Sequence, residues 1–483
     1  MTVIALALLA AALAWACLER GPWYDEFYTQ YVARPDLPWG AALRESWLAD
    51  NHPPLYYALA RASAWLGAIG PHRLVNLAFG GAAVAGCLAI VRDVPRLAPA
   101  ATALALAAAA NLWTMIAGSE LRSYFLSLCA GAVLALALCA IRIAGGGGSP
   151  ARRAVYWIAA LLGFNTHIVT SLTCAALLAP FLAAALLRRD WREARAIALA
   201  PLVAGLVLVA VTAIQLPIWL ANTATFWIEA GFGPARWAVE WAMIRTLEAN
   251  PVLLLGALAG GVLLARDVVR RKPSGEAGAL VLLVCGVVIA LAGLVALHLL
   301  RPMLLEKYLM AAVAAVMVGI SLAFGRLLAS LGPRLQAGVL VLALGLSVVA
   351  LVHNARQAAD HVSWFASGRA VAAQVARCPG TVVHADSFWN DDVTVLLPVD
   401  NARVVPWSYA YVAKAQGFTL APQGSHAMAR ACPTVFWGEK DSSHRWDAAK
   451  VAARLRAAGY PAAPLAFERI GDGWIAVAPP ARR

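Results

Sequence analysis

The sequence is a succession of apolar runs, each about as long as a lipid bilayer is thick. A helix needs about 20 apolar residues to cross the hydrocarbon core. Runs of that order recur near 3–20, 73–91, 97–117, 122–142, 154–166, 168–187, 196–219, 252–266, 279–300, 303–325 and 335–353. Lipid offers the backbone no hydrogen bonds, so such runs cross as helices. The stretch 154–187 is too long for one crossing and divides at Asn165, Thr166 and His167, where polarity rises. The expectation is an α-helical polytopic membrane protein of about eleven crossings. Composition agrees, since 61% of the 483 residues are hydrophobic and only 13% are charged. A water-soluble domain cannot hide that much apolar surface. The net charge of +13 then reads as loop cations meeting anionic lipid heads, and nucleic acid is not expected as a partner. The Arg-rich, Ala-rich usage resembles that of a GC-rich bacterial genome.

Charge sets the orientation. Alternate loops carry Arg92 and Arg96; Arg142, Arg152 and Arg153; Arg188, Arg189, Arg192 and Arg195; Arg266, Arg270, Arg271 and Lys272; Arg326 and Arg334. The intervening loops are poor in cations, and the basic set belongs in the cytoplasm. The N-terminus is then inside. Loops 19–72, 118–121, 220–250 and 300–303 and the C-terminal part lie outside, in a bacterial inner membrane. Residues 3–18 have no preceding Lys or Arg and read as a retained first helix rather than a signal peptide. Residues 53–70 begin with Pro53–Pro54 and hold Arg61 mid-way, so they read as a helix lying along the outer surface. The run Gly145–Gly148 reads as a flexible linker.

Hydropathy falls after about residue 354. The expected domains are therefore 1–354, a transmembrane catalytic part with first outer loop 19–72, and 355–483, a small extracytoplasmic α/β domain. In the latter, 381–386 and 434–437 read as strands, and 364–377 and 446–458 as amphipathic helices. Cys17, Cys87, Cys129, Cys139, Cys174 and Cys285 lie in apolar runs and read as small core residues. Cys378 and Cys432 each precede a strand in the outer compartment and are expected to form a disulfide. Trp219, Trp227, Trp237 and Trp241 read as an interfacial anchor, with a lid over the acceptor or prenyl chain as the alternative.

The ionisable residues that apolar runs should exclude gather on the outer face. The first loop carries Tyr24, Asp25, Glu26 and Tyr28, then Asp50, Asn51, His52, Pro53, Pro54, Leu55, Tyr56 and Tyr57. Later loops supply Glu120, Arg122 and Tyr124; His167; and Arg301, Lys307 and Tyr308. Ionisable groups at the mouth of a membrane bundle are costly and mark a site. The set suits transfer from a phosphate-linked donor. Asp25 or Glu26 supplies a base for an acceptor hydroxyl. Arg122, Lys307 and Arg301, with His52 or His167, supply cations for a departing lipid phosphate. The tyrosines hold a sugar face or a prenyl chain. Asp25, Glu26 and Glu120 also offer oxygen ligands to a divalent ion. The neighbouring cations neutralise phosphate without one, so no obligatory cofactor is expected. The rival reading, a transporter or flippase for a lipid-linked or anionic substrate, predicts two related halves with broken helices, and no internal repeat is visible.

These motifs resemble those of the GT-C superfamily of membrane glycosyltransferases. The likeness is to the protein O-mannosyltransferase and aminoarabinose transferase branch and to bacterial relatives typed by a rhizobial lipopolysaccharide-core galacturonosyltransferase-like domain. It rests on Asp25-Glu26, His52-Pro53-Pro54-Leu55-Tyr56-Tyr57, Arg73, Glu120-Leu121-Arg122-Ser123-Tyr124, Thr166-His167 and Lys307-Tyr308, in family order over roughly 1–310. The resemblance implies a polyprenyl-phosphate-linked sugar donor, an inverting transfer to a hydroxyl acceptor (glycolipid, lipopolysaccharide, cell-wall glycan or protein) and an outward-facing site. It also implies Asp25 as the acceptor-side acid, Glu120 as a second acid, and Arg122 and Lys307 near the donor phosphate. Lys307 stands where relatives commonly have Arg, so a point charge replaces a bidentate fork.

The orientation is directly testable. A reporter active only in the periplasm should work when fused after Arg483 and fail when inserted at Gly147; the opposite pattern would reverse every loop assignment.

Overall fold

The computed structural model describes residues 1–50, 52–221, 228–270, 274–361, 363–386, 401–439, 446–471 and 473–481. It divides into two compact units. One comprises Met1–Leu18, Trp47–Leu220 and Ile228–Ala359; the other includes Glu19–Ser46 and Asp360–Arg483. The first outer loop, read from sequence as one piece with the membrane part, is thus shared between the units.

The membrane unit is helical. In chain order its helices are α1 (Thr2–Glu19), then α3 (Leu55–Ala62), α4 (Val75–Asp93), α5 (Ala98–Ala110), α6 (Leu112–Gly118), α7 (Tyr124–Ala144) and α8 (Pro150–Asn165). They continue with α9 (Ile168–Leu187), α10 (Trp191–Ala221), α11 (Phe232–Leu247), α12 (Pro251–Val269), α13 (Gly275–Leu300), α14 (Met310–Ser330) and α15 (Pro333–Ala359). Helix α2 (Tyr24–Val32) belongs to the other unit. Among the described residues nine helices are long and apolar enough to span a membrane, or ten with the α5–α6 pair. That pair, one run in the sequence, bends by 68° at Asn111, whose side chain caps α6 by accepting from the Trp113 N–H at 2.8 Å. Helix α8, the remaining run of the expected eleven, has 16 residues, about 24 Å of rise. Helix α3 has eight residues and is too short to cross.

Helix α7 is apolar on every side and correspondingly buried on every side. In lipid, close packing and interhelical hydrogen bonds hold helices together. Gly131 of α7 lets the backbone of Ala311 approach: a Cβ there would lie 2.8 Å from its Cα. Gly260 of α12 does the same for α14, since a Cβ would lie 1.8 Å from the Ala323 carbonyl oxygen. Polar clasps add to this. Asn250 donates to the Ala343 carbonyl (2.8 Å) and Ser347 hydroxyl (2.9 Å), Ser347 to the Leu106 carbonyl (3.0 Å), and Asn354 to the Ala110 carbonyl (2.8 Å). The glycine run before α8 is pinned rather than loose: Asp93 accepts from the Ser149 N–H at 3.1 Å and pairs with Arg152 at 3.1 Å.

The second unit is a small α/β fold. Its further elements are α16 (Trp364–Arg377), β1 (Val382–Ala385), α17 (Asn401–Gln416), β2 (Thr434–Glu439), α18 (Ala448–Ala457), β3 (Ala466–Ile470) and β4 (Gly473–Ala478). The sheet order is β1-β2-β4-β3, with β1 and β2 parallel and the other pairs antiparallel. Phe436, Trp474 and Ala476 form a core with Val451 and Leu455 of α18. Trp437 lies on the opposite face, where Ser367 of α16 and Tyr409 of α17 meet it. Cys378 and Cys432 are disulfide-bonded, with Cα atoms 5.8 Å apart. The bond joins the chain just ahead of β1 to the chain just ahead of β2, whose first residues Val382 and Thr434 are paired.

The close approach at Gly260 predicts that Gly260→Leu destabilises the membrane unit by at least about 1–3 kcal/mol, the usual cost of overpacking, seen as a lower melting temperature in detergent. Gly261→Leu, with nothing within 4 Å of its added Cβ, should melt like the parent.

Candidate active site

Four chain breaks of the membrane unit build one cluster. Arg122 and Tyr124 sit at the start of α7, His167 at the start of α9, and Lys307 and Tyr308 in the short turn Glu306–Leu309 that leads into α14. His52 lies just ahead of Pro53, Pro54 and α3. The rings touch in series: His52 to His167 at 5.2 Å, His167 to Tyr308 at 4.7 Å, Tyr308 to Tyr124 at 5.8 Å and Tyr124 to His167 at 6.1 Å between centroids. The two cations flank Tyr124, with the Arg122 guanidinium 5.7 Å and the Lys307 ammonium 5.5 Å from its ring centre. With Tyr57, whose hydroxyl bonds to Asp50 two residues before His52, seven of the residues expected from sequence are brought together.

Each break is held by a side chain. Asn76 donates to the carbonyls of Gly118 (2.9 Å) and Glu120 (2.7 Å), fixing the loop that ends in Arg122. Arg73 is buried and donates to the Cys17 carbonyl at 3.0 Å. His298 accepts from the N–H groups of Met303 (3.2 Å) and Leu304 (3.1 Å), setting the segment before Lys307. His167 caps α9, its Nδ1 accepting from the Val169 N–H at 3.2 Å. The proton of the neutral ring is therefore on Nε2. Burial pushes the His167 imidazole well below its ordinary value, and the charges of His52, Arg122 and Lys307 push the same way.

Two residues of the cluster had no role assigned from sequence: Asp50, noted only as part of the first-loop motif, and Gln215. Asp50 is buried; its carboxylate accepts a hydrogen bond from the Tyr57 hydroxyl and faces His52 Nδ1 at 3.4 Å. Burial works to raise the Asp50 carboxyl, but the charge and hydrogen bond of His52, the Tyr57 hydroxyl and the Arg122 charge outweigh it and hold the group below the usual range. Burial and the Asp50 charge in turn push the Tyr57 phenol well up, against the pull of Arg122. Gln215, buried in α10, donates to the carbonyls of Trp47 (3.2 Å), Asp50 (2.8 Å) and His52 (2.9 Å). A lone amide within an apolar run is the signal that marks it.

The remaining candidates are placed differently. Glu120 is buried in the loop that Asn76 holds. Arg301 is exposed at the C-cap of α13. In the second unit, Asp25 is half-buried in the first turn of α2. Glu26 is fully buried and accepts from the Trp23 N–H at 3.4 Å, as a capping carboxylate does. Tyr24 stacks on Trp364 at 6.4 Å, Phe27 packs against Trp364 at 5.1 Å and Tyr411 at 5.5 Å, and Tyr28 is buried. Trp237 and Trp241 lie on α11, their rings stacked at 6.0 Å; Trp227 and the side chain of Trp219 lie outside the described residues. Among the described residues no three His, Cys, Asp or Glu side chains are grouped to hold a metal ion.

Chemically, the cluster is made for an anion. Three helices begin at it, and helix N-termini present unbonded N–H groups and a partial positive charge. Arg122 and Lys307 add full charges, and neutral His167 adds one N–H.

No family model matches the sequence, and no curated protein matches it. Solved structures do. ArnT from Cupriavidus metallidurans in the apo state covers 98% of this chain and 97% of its own at 14% identity, with a TM-score of 0.53. The same protein bound to undecaprenyl phosphate gives 0.52 at the same identity and coverage. The chain has the fold of ArnT. A third match, arabinosyltransferase EmbB from Mycobacterium smegmatis, covers 86% of this chain and 40% of its own at 15% identity and a TM-score of 0.41.

The depressed His167 makes folding sensitive to acid. Below about pH 6.5 an unfolded histidine takes up a proton that the folded one refuses. Stability is therefore lost as pH falls through that range, by up to about 1.4 kcal/mol per pH unit for one proton. His167→Asn, which keeps a capping side chain, should lose less melting temperature between pH 7 and 5 than the parent; parallel curves would remove His167 as the cause.

Proposed function

We propose that this chain is an inverting glycosyltransferase that moves a sugar from a polyprenyl-phosphate donor to a hydroxyl acceptor on the outer face of a bacterial inner membrane. The observation that carries this reading is the anion-ready cluster of Arg122, Lys307, His167 and three helix N-termini within a GT-C fold. The undecaprenyl phosphate bound by ArnT supports a lipid phosphate as the anion. On this reading the donor phosphate lies against Arg122 and Lys307, and His167 donates its Nε2–H. The ionised Asp50 orients His52 toward the same group. Tyr124 and Tyr308 offer ring faces to the sugar or the first prenyl unit.

Asp25 is the base. As the acceptor oxygen attacks the anomeric carbon, its proton passes to the Asp25 carboxylate. The bond from that carbon to the phosphate oxygen breaks, and the electron pair leaves with the polyprenyl phosphate. Attack opposite the leaving group inverts the centre, and no acid is needed where cations hold the departing anion. Asp25 is preferred to Glu26 because Glu26 is buried as a helix cap. Glu120 orients the donor or acceptor.

Purification with native lipids, followed by mass spectrometry, should find a glycosyl-polyprenyl phosphate carried by the parent and by Asp25→Asn. Asp25→Asn should lose transfer by at least roughly a hundredfold, the scale of a lost general base. Arg122→Ala and Lys307→Ala should retain less of the lipid donor. Near-normal transfer by a correctly inserted Asp25→Asn protein would remove both the base and the assignment of its loop.

A further inference from the structure

The second unit holds a cavity that the transfer reaction does not use. It has a volume of about 210 Å³ and starts at the carboxyl end of β1, at His384 and Asp386. Strands β1 and β2 are parallel and joined through α17. In sheets of that kind, ligands bind in the crevice outside the carboxyl ends of the strands. Tyr409, Phe436, Tyr460 and Trp474 contribute four aromatic rings to the lining. The polar groups converge between them. His384 Nε2 donates to the Ala427 carbonyl at 2.8 Å, which leaves Nδ1 an acceptor 3.3 Å from the Tyr460 hydroxyl. That hydroxyl also lies 3.1 Å from the Ser425 carbonyl. The His384 ring is stacked on Phe436 at 5.5 Å, and His426 stands edge-on to Tyr460 at 4.7 Å. Burial lowers His384, against the pull of the Ala427 carbonyl, and His426 lowers it further, so the imidazole is neutral at neutral pH.

The chemistry of the wall selects the ligand. Among the described residues that line it none is Lys or Arg, and Asp386 is one of them, so there phosphates and acidic sugars meet a like charge and no cation. Ring faces suit the C–H face of a pyranose, and a carboxylate, an amide and hydroxyls suit its O–H groups. The volume is below that of a drug-sized pocket, about 300–1,000 Å³, and fits a single ring. We propose that this cavity is a binding site for one neutral saccharide ring, separate from the transfer site. It does not depend on the glycosyltransferase reading, because no residue of the cluster around Arg122 lines it.

The test uses the full chain in nanodiscs free of glycoside detergent, which would compete. Saturation-transfer NMR is recorded with methyl α-mannoside, methyl β-glucoside and methyl β-galactoside as probes, and with choline and inorganic phosphate as controls. At least one glycoside should show saturable transfer. Asp386→Asn should weaken it at least tenfold and Tyr460→Ala should abolish it. An intact Cys378–Cys432 bond in unreduced mass spectra and parent-like melting report that each variant is folded. Arg122→Ala should bind the probe as the parent does. Three results would each overturn the proposal: no saturable transfer to any glycoside, transfer unchanged in folded Asp386→Asn and Tyr460→Ala, or choline or phosphate saturating in place of the glycosides. A probe lost in Arg122→Ala but kept in the cavity variants would assign the saccharide to the transfer site instead.

Discussion

A chain in lipid must satisfy its backbone from within, and the rest of the membrane unit follows from that demand. A helix does so automatically, and a break in a helix does not. Every break that matters here is therefore closed by a side chain: Asn111 at the α5–α6 bend, Asn76 at the loop before α7, His167 at the start of α9, and His298 ahead of α14. Arg122, His167 and Lys307 stand at three of these breaks. A start of a helix offers N–H groups and positive potential at no extra cost in charge, so the places where the fold is hardest to satisfy are also the places best fitted to hold an anion.

The polar residues divide into those that form the candidate site and those that support it. Arg122, Lys307, His52 and His167 face one another across two tyrosine rings. Asp50, Tyr57 and Gln215 lie behind His52 and fix its segment. A buried carboxylate is tolerable only when it is bonded and opposed by positive charge, and Asp50 has both. In the second unit Glu26 spends its charge on the start of α2, while the ring face of α2 packs against Trp364, Trp407 and Tyr411.

Much of this was legible beforehand. The long apolar runs gave the membrane helices, because bilayer thickness imposes a length that shows in any sequence. Helices 364–377 and 446–458 and the strands near 382 and 434 were visible from amphipathic period and from short β-branched runs. The strands Ala466–Ile470 and Gly473–Ala478 were missed; they form a tight hairpin with Gly471 at positive φ between them, and their apolar alternation is short. Helix α17 was missed as well, since Pro406 lies inside it and Pro argues against a helix interior. Asn111 lies inside the run 97–117, read as one span, and only the chain path shows that it ends one helix and begins another.

Sequence by itself determined the lipid-embedded helical architecture, the gathering of odd charges between particular runs, and the residue types able to handle a phosphate. Length and hydropathy are local properties, and the motifs lie in short contiguous pieces. Tertiary structure alone decided which charges meet. It joined His52, Arg122, His167 and Lys307 across more than 250 residues of chain (52 to 307), added Asp50 and Gln215, turned Glu26 into a cap, and left Arg301 at an exposed helix end. Spacing along a helix says which face a residue takes. Which helix that face meets depends on packing between segments far apart in the chain, and no local pattern carries that information.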